Sequence, residues 1–217
     1  EVRRRLRLRE AAFDVQHRRT WLVDLRGGAA EVSSRLPPST RRNIRLAERA
    51  EVRVDHSGDP DAVDTFYRLH LATVSRQGFQ TRPLDYYRAA VDALGAEVFT
   101  ARLHEVPVAA AVAVACGPRL VYLYGGSSPS TSRAPYALHW AMIEWGLSQG
   151  CELYDMWGVP SHFEEGDPGP GYAVFKTRWG GHMAAHSGLL LVPWLGPLDP
   201  AIHRAERWLL RRRPLLT

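Results

Sequence analysis

The chain has 217 residues of which 45% are apolar, enough for one substantial core or two small ones, and this composition excludes a disordered protein. The longest apolar runs, 106–116 and 189–195, fall short of the roughly 20 residues a bilayer-spanning helix needs, and the basic N-terminus carries no signal-like apolar segment, so a cytoplasmic protein is expected. Twenty-eight basic residues against 23 acidic ones give a net charge of +5, which favours an anionic partner such as RNA, a phosphorylated precursor or an acidic membrane face.

Residues 20–25 are β-branched and apolar enough for a strand, closed by Gly27-Gly28. A connector follows. After Pro37-Pro38 the pattern predicts a helix capped by Ser39 and reaching about Ala50, with Arg41, Arg42, Arg45 and Arg49 on its exposed side. Residues 52–56 alternate as a short strand. Asp59-Pro60 reads as an N-cap followed by proline at the first helical position, and Val63, Phe66, Tyr67, His70, Leu71 and Val74 recur at helical spacing up to Gly78. A second helix starts at Pro83, with Leu84, Tyr87, Val91 and Leu94 on one face and Gly95 behind it.

Three strands follow as a meander, over 98–104, 108–116 and 119–124, with turns at Val106-Pro107 and Gly117-Pro118. Gly125-Gly126 is expected to end the third strand. A helix over 135–149 turns Leu138, Ala141, Met142 and Trp145 inward and stops at Gly150; a strand over 153–156, a loop rich in glycine and proline over 158–171, an amphipathic segment over 172–179 and an apolar strand over 187–192 complete the pattern. A basic helix is expected over 200–213, with Ile202, Ala205, Trp208 and Leu209 on one side and arginines around the other. That pattern suits packing against another domain, an anionic membrane surface or RNA. The order of elements describes an α/β protein whose mixed central sheet is flanked by helices. Cys116 and Cys151 fall inside predicted core elements without paired spacing, so buried, reduced thiols are expected, and the nine histidines have no metal-ligand spacing.

Several stretches together resemble the Fem family of peptidoglycan-bridge aminoacyltransferases. They are Thr20 to Leu25, Ser39 to Glu48, Arg76-Gln-Gly-Phe79 with Arg82 and Tyr86, Tyr122 to Ser128, Tyr154-Asp-Met-Trp-Gly158, and Val174-Phe-Lys-Thr-Arg-Trp-Gly-Gly181. The resemblance implies the acetyltransferase-like (GNAT) fold. It also implies a division into 1–30 as the tail of a first GNAT-like domain, 31–195 as a second, and 196–217 as a basic helix returning to the first. The activity it implies is transfer of an amino acid from aminoacyl-tRNA, a co-substrate rather than a cofactor, onto the peptide stem of lipid II or UDP-MurNAc-pentapeptide, with a peripheral contact at the inner membrane face.

Such a transfer demands little of the protein, because the donor is an activated ester and the acceptor a primary amine; positioning and stabilisation of negative charge suffice. Of the 28 basic residues only Lys176 is a lysine. Its ordinary reading is a solvated surface residue, yet a compact ammonium differs in reach and geometry from a planar guanidinium, which is a physical reason for one position to resist arginine. The family's Phe-Lys pair implies that Lys176 stabilises charge and positions the donor end, with Phe175 beside it. Arg82 and Tyr86, four apart, would share a helix face and grip a phosphate or carboxylate, and Tyr124 would add its hydroxyl to the same cleft; the resemblance implies that these three hold the precursor. Asp155 and Glu164-Glu165 are candidate acid or base groups, and no general base is assigned. The pyrophosphate cradle of a coenzyme A acetyltransferase, Arg/Gln-x-x-Gly-x-Gly/Ala, is missing from 130–136, which argues against the alternative of an acyl-CoA N-acyltransferase. A non-catalytic RNA-binding half-domain remains compatible with the basic charge.

Overall fold

The computed structural model describes residues 8–10, 17–129, 132–160, 162–164, 166, 168–188 and 190–191. The basic helix expected over 200–213 lies outside the described residues, as does part of the strand expected over 187–192. A short strand β1 (Arg9–Glu10) pairs with β9 (Leu190–Leu191). The main sheet holds β2 (Arg19–Asp24), β3 (Arg53–Ser57), β4 (Glu97–Leu103), β5 (Val106–Cys116), β6 (Arg119–Ser127), β7 (Leu153–Val159) and β8 (His182–Ala185), in the order β3-β4-β5-β6-β7-β2-β8. Thus β2, from the stretch expected to belong to a preceding domain, is hydrogen-bonded between β7 and β8. The only parallel neighbours among these strands are β6 and β7, and parallel strands need a crossover. Helix α5 (Ala134–Ser148) supplies it.

Helices α1 (Gly28–Arg35), α2 (Pro38–Arg49) and α5 cover one face; α3 (Pro60–Gln77) and α4 (Leu84–Leu94) cover the other. Strand β5 records this double cover: Ala109, Ala111 and Ala113 belong to the core under α5, whereas Ala110 and Val112 belong to the core under α3 and α4. A strand buried on both faces reads as a continuous apolar run, and alanine lets both helices come close. At Gly126 the approach is extreme, since a Cβ there would collide with the backbone of Leu69 and His70 in α3.

Several expectations need correction. The connector after Gly28 is helix α1, whose start no side chain caps and whose one buried side chain is Val32, so little periodicity was available to reveal it. Helix α2 begins at Pro38 with Pro37 at its N-cap and no side-chain cap; proline's fixed φ does what Ser39 was expected to do. The β4–β5 turn is at His104-Glu105, both left-handed (φ 48° and 64°), a pair that matches the twist of a hairpin, while Pro107 is absorbed at a register shift opposite Arg102. Gly125 and Gly126 lie inside β6, paired with Ala111 and Ala110. Cys116 is exposed, because it ends β5 at the Gly117 turn beyond the covering helices; Cys151 is buried, and both are free thiols. Strand β8 was not foreseen.

Candidate active site

β6 and β7 pair over three residues only, Arg119 with Leu153, Leu120 with Tyr154 and Val121 with Asp155. Beyond Val121 and Asp155 the two strands part: β7 stays paired with β2 along its other edge, while β6 continues to Ser127 paired with β5 alone. The free edge leaves every residue from Val121 to Ser128 half-exposed, although β6 is a central strand. A register shift between Val112 and Ala113 places a bulge in β6 at Leu123. By strict alternation Tyr122 and Tyr124 would share a face; with the bulge, Tyr122 joins the α5-side core and Tyr124 the α3–α4 side.

On the α3–α4 side the structure brings Arg82, Tyr86 and Tyr124 together, as expected. The Tyr86 and Tyr124 hydroxyls lie 3.3 Å apart. Burial and the Tyr86 hydroxyl push the Tyr124 hydroxyl above its usual range, and Arg82 pulls in the opposite sense. The means differs from the expectation, however. Arg82 precedes α4, in an exposed irregular stretch, and its carbonyl accepts from the Tyr67 hydroxyl at 3.2 Å. His70 braces this group: its Nδ1 lies 2.9 Å from the Gly125 carbonyl oxygen and its Nε2 3.1 Å from the Tyr87 hydroxyl, and Tyr87 stacks edge-on against Tyr86 and Tyr124. The carbonyl contact makes Nδ1 the donor and leaves Nε2 to accept from Tyr87.

Lys176 sits in the short helix α6 (Gly171–Thr177) and is only 6% exposed. It is therefore not a solvated surface lysine. Its ammonium donates to the Gly158 carbonyl at 2.7 Å and stands 5.4 Å from the centroid of the Tyr172 ring. Burial lowers its pKa to about 7, and the Asp155 carboxylate works against that fall without overcoming it. Phe175 packs beside it within an aromatic group of Tyr136, His139 and Trp179. His139 is buried, lies 2.7 Å from the Tyr154 hydroxyl, and is pushed down to about 3 by burial and then by the nearby lysine charge.

The two groups stand on opposite faces of the sheet, not along one wall. Lys176 and Phe175 belong to the α5 side, and Arg82, Tyr86 and Tyr124 to the other. The link is Asp155: its neighbours Tyr154 and Met156 are buried in the α5-side core, so alternation sends the carboxylate toward the opposite face, and its charge still reaches Lys176.

Asp155 is a mid-strand residue and 5% exposed. It accepts a short hydrogen bond from the Thr20 hydroxyl and another from the Trp157 N–H at 2.9 Å, with the Arg119 guanidinium 3.8 Å away. Trp157 is left-handed (φ 68°), at a register shift in the β2–β7 ladder. For a bulky L-residue that conformation costs about 1–2 kcal/mol, and a hydrogen bond to a charged acceptor, about 1.5–3 kcal/mol, is enough to hold it. The next residue, Gly158, is the one whose carbonyl meets Lys176. Gly158 has no room for a side chain, since a Cβ would lie 2.8 Å from the His17 ring. Sequence reasoning missed this arrangement; the available signal was an acid flanked by apolar residues in a strand.

The mixed sheet is thus split beside one strand, with a buried cation on one side and an arginine with two phenols on the other. Residues 38–177 match the family described as acetyltransferase (GNAT) domain, and the chain belongs to that family. The chain is similar to UDP-N-acetylmuramoylpentapeptide-lysine N(6)-alanyltransferase of Weissella viridescens, 30% identical over 129 residues; the match takes in 58% of this chain and 38% of that protein. The fold is that of FemX, with a TM-score of 0.79, 18% identity, and coverage of 93% of this chain and 69% of that one. It is more distantly similar to the C-terminal domain of a putative lysylphosphatidylglycerol synthetase from Agrobacterium fabrum, with a TM-score of 0.58, 16% identity, and coverage of 94% and 66%. No helix among the described residues is long and apolar enough to cross a membrane.

Proposed function

We propose that this chain is part of an aminoacyltransferase that moves an amino acid from aminoacyl-tRNA to a free amine on the peptide stem of a peptidoglycan precursor, lipid II or UDP-MurNAc-pentapeptide, in the building of interpeptide bridges. The similarity to an alanyltransferase named for a UDP-linked muramoylpentapeptide supports the substrate class. The observation that carries the reading is the burial of the chain's sole lysine beside the split in the sheet, on a backbone carbonyl. In the reaction the acceptor nitrogen attacks the ester carbonyl, negative charge gathers on the carbonyl oxygen, and the carbon–oxygen bond to the terminal ribose breaks as the proton lost by the nitrogen passes, directly or through water, to the departing ribose oxygen. The Lys176 ammonium stabilises that oxygen. Phe175 orders the donor end, while Arg82, Tyr86 and Tyr124 hold the phosphate and sugar of the precursor from the other face. A cytoplasmic location, at the inner face of the plasma membrane where a lipid-linked precursor would present its stem, goes with this reading.

The test is a transfer assay offering aminoacyl-tRNA and acyl-CoA in parallel, with Lys176→Ala and Lys176→Arg beside the unaltered protein. Turnover of aminoacyl-tRNA is expected, with a loss of about 10²–10³ in kcat for both variants, because removing one preorganised charge stabiliser has that effect and a guanidinium cannot take the ammonium's buried seat. Turnover with CoA thioesters alone overturns the reading. So does tight tRNA binding without transfer and without any effect of Lys176→Ala.

A further inference from the structure

The proposed function leaves open what holds Lys176 charged and aimed in a buried seat. Three features of β7 bear on this: a buried carboxylate in mid-strand, a tryptophan in the left-handed region two residues later, and a carbonyl one residue further on that accepts from the ammonium. They are joined by a single side chain, since Asp155 Oδ1 receives both the Thr20 hydroxyl of β2 and the Trp157 N–H. Trp157 sits at the register shift of the β2–β7 ladder, directly before Gly158, whose carbonyl meets the lysine.

We propose that Asp155 is the positioning residue for Lys176: its hydrogen bonds hold the Trp157 bulge that aims the Gly158 carbonyl at the ammonium. The groups facing Lys176 support the assignment. Tyr172 of α6 offers a ring face, His139 of α5 is neutral over the working range, and His17, ahead of β2, is also disfavoured as a cation by burial and by the lysine itself. Asp155 is thus the carboxylate acting on the lysine among the described residues, while Arg119, half-exposed at the surface end, partly offsets it. The working need for a charged lysine rests on the aminoacyl-transfer reading; the placement of the lysine by Asp155 does not.

Because Lys176 is the chain's one lysine, its protonation can be read directly. In the full chain labelled with 13Cε-lysine, one resonance titrates. Asp155→Asn retains an oxygen for the Trp157 N–H and removes the charge, so the lysine midpoint is expected to fall by about one pH unit or more, the size of effect a nearby opposite charge exerts. Aminoacyl transfer should then be lost at correspondingly lower pH on the alkaline side, with kcat falling and KM for the precursor little changed. Asp155→Ala, which removes the acceptor as well, should lower kcat at every pH. Should Asp155→Asn fail to fold, adding Trp157→Gly restores the bulge, since glycine takes the left-handed conformation freely, and the same downward shift is expected. A folded Asp155→Asn protein whose lysine titrates as in the unaltered chain overturns the proposal. A shifted lysine in a protein that transfers nothing from aminoacyl-tRNA upholds the placement and removes the function assigned to it.

Discussion

Lys176 is a case in which stability and function pull apart at one atom. An ammonium 6% exposed and with its pKa brought down to about 7 is a liability in the fold below that pH, where it is charged in a seat that disfavours charge. The unfolded chain would hold the same proton up to about pH 10.4. Between those values the unfolded state binds more protons than the folded one, so stability rises with pH across that window, and the penalty is fully present below it. Lys176→Met, an apolar side chain of similar length, should therefore fold at least as stably as the unaltered protein at pH 6 and lose that advantage toward pH 10, while losing transfer to the extent expected of Lys176→Ala. Urea melts of both proteins at several pH values measure it. The sequence singled out this residue because it was the one lysine among many arginines. It gave no comparable hint that Trp157 is left-handed or that Asp155 holds it, because both depend on a register shift against β2, a partner more than 130 positions away.

Among the elements, those whose pattern is local were readable and those set by contact were not. Helices α3 and α4 announced themselves by apolar spacing and by glycines, Gly78 and Gly95, that end them in the left-handed region. Helix α1 packs one side chain and hides. The Gly125-Gly126 pair looked like the end of a strand, because glycine is ordinary punctuation; here it lies in mid-strand for two separate reasons. The Tyr122 side chain folds over Gly125, and the backbone of α3 rests on Gly126. Gly126→Ala should then destabilise the protein by about 1–3 kcal/mol, the usual result of forcing extra volume into a filled site. Since the backbone pressed aside carries His70, the brace of Tyr87, chemical denaturation should show the loss together with a weakened hold on the precursor.

At the scale of the molecule the basic excess has a direction. Arg42, Arg45 and Arg49 are exposed along α2, spaced over about 10 Å by the 1.5 Å rise of the helix, and no carboxylate pairs with them among the described residues. The same helix begins against the turn that follows Lys176, where the Thr40 hydroxyl donates to the Arg178 carbonyl. A polyanion whose end enters at Lys176 would run along these arginines. Replacing all three by alanine is expected to weaken tRNA binding and to reduce the slope of log affinity against log salt by about 2 to 3, measured by filter binding between 50 and 200 mM salt; an unchanged slope would place the RNA elsewhere.

The α/β class and the order of the elements were legible in the chain because helical and alternating patterns are written locally. The division of the candidate site between two faces was not, because it hangs on one bulge in β6. The brief parallel contact between β6 and β7 has a mechanical consequence as well. Four strands, β3 through β6, and three, β7 with β2 and β8, form two ribbons stitched along a short seam, so a pull across the sheet parts the stitching first and leaves each ribbon whole.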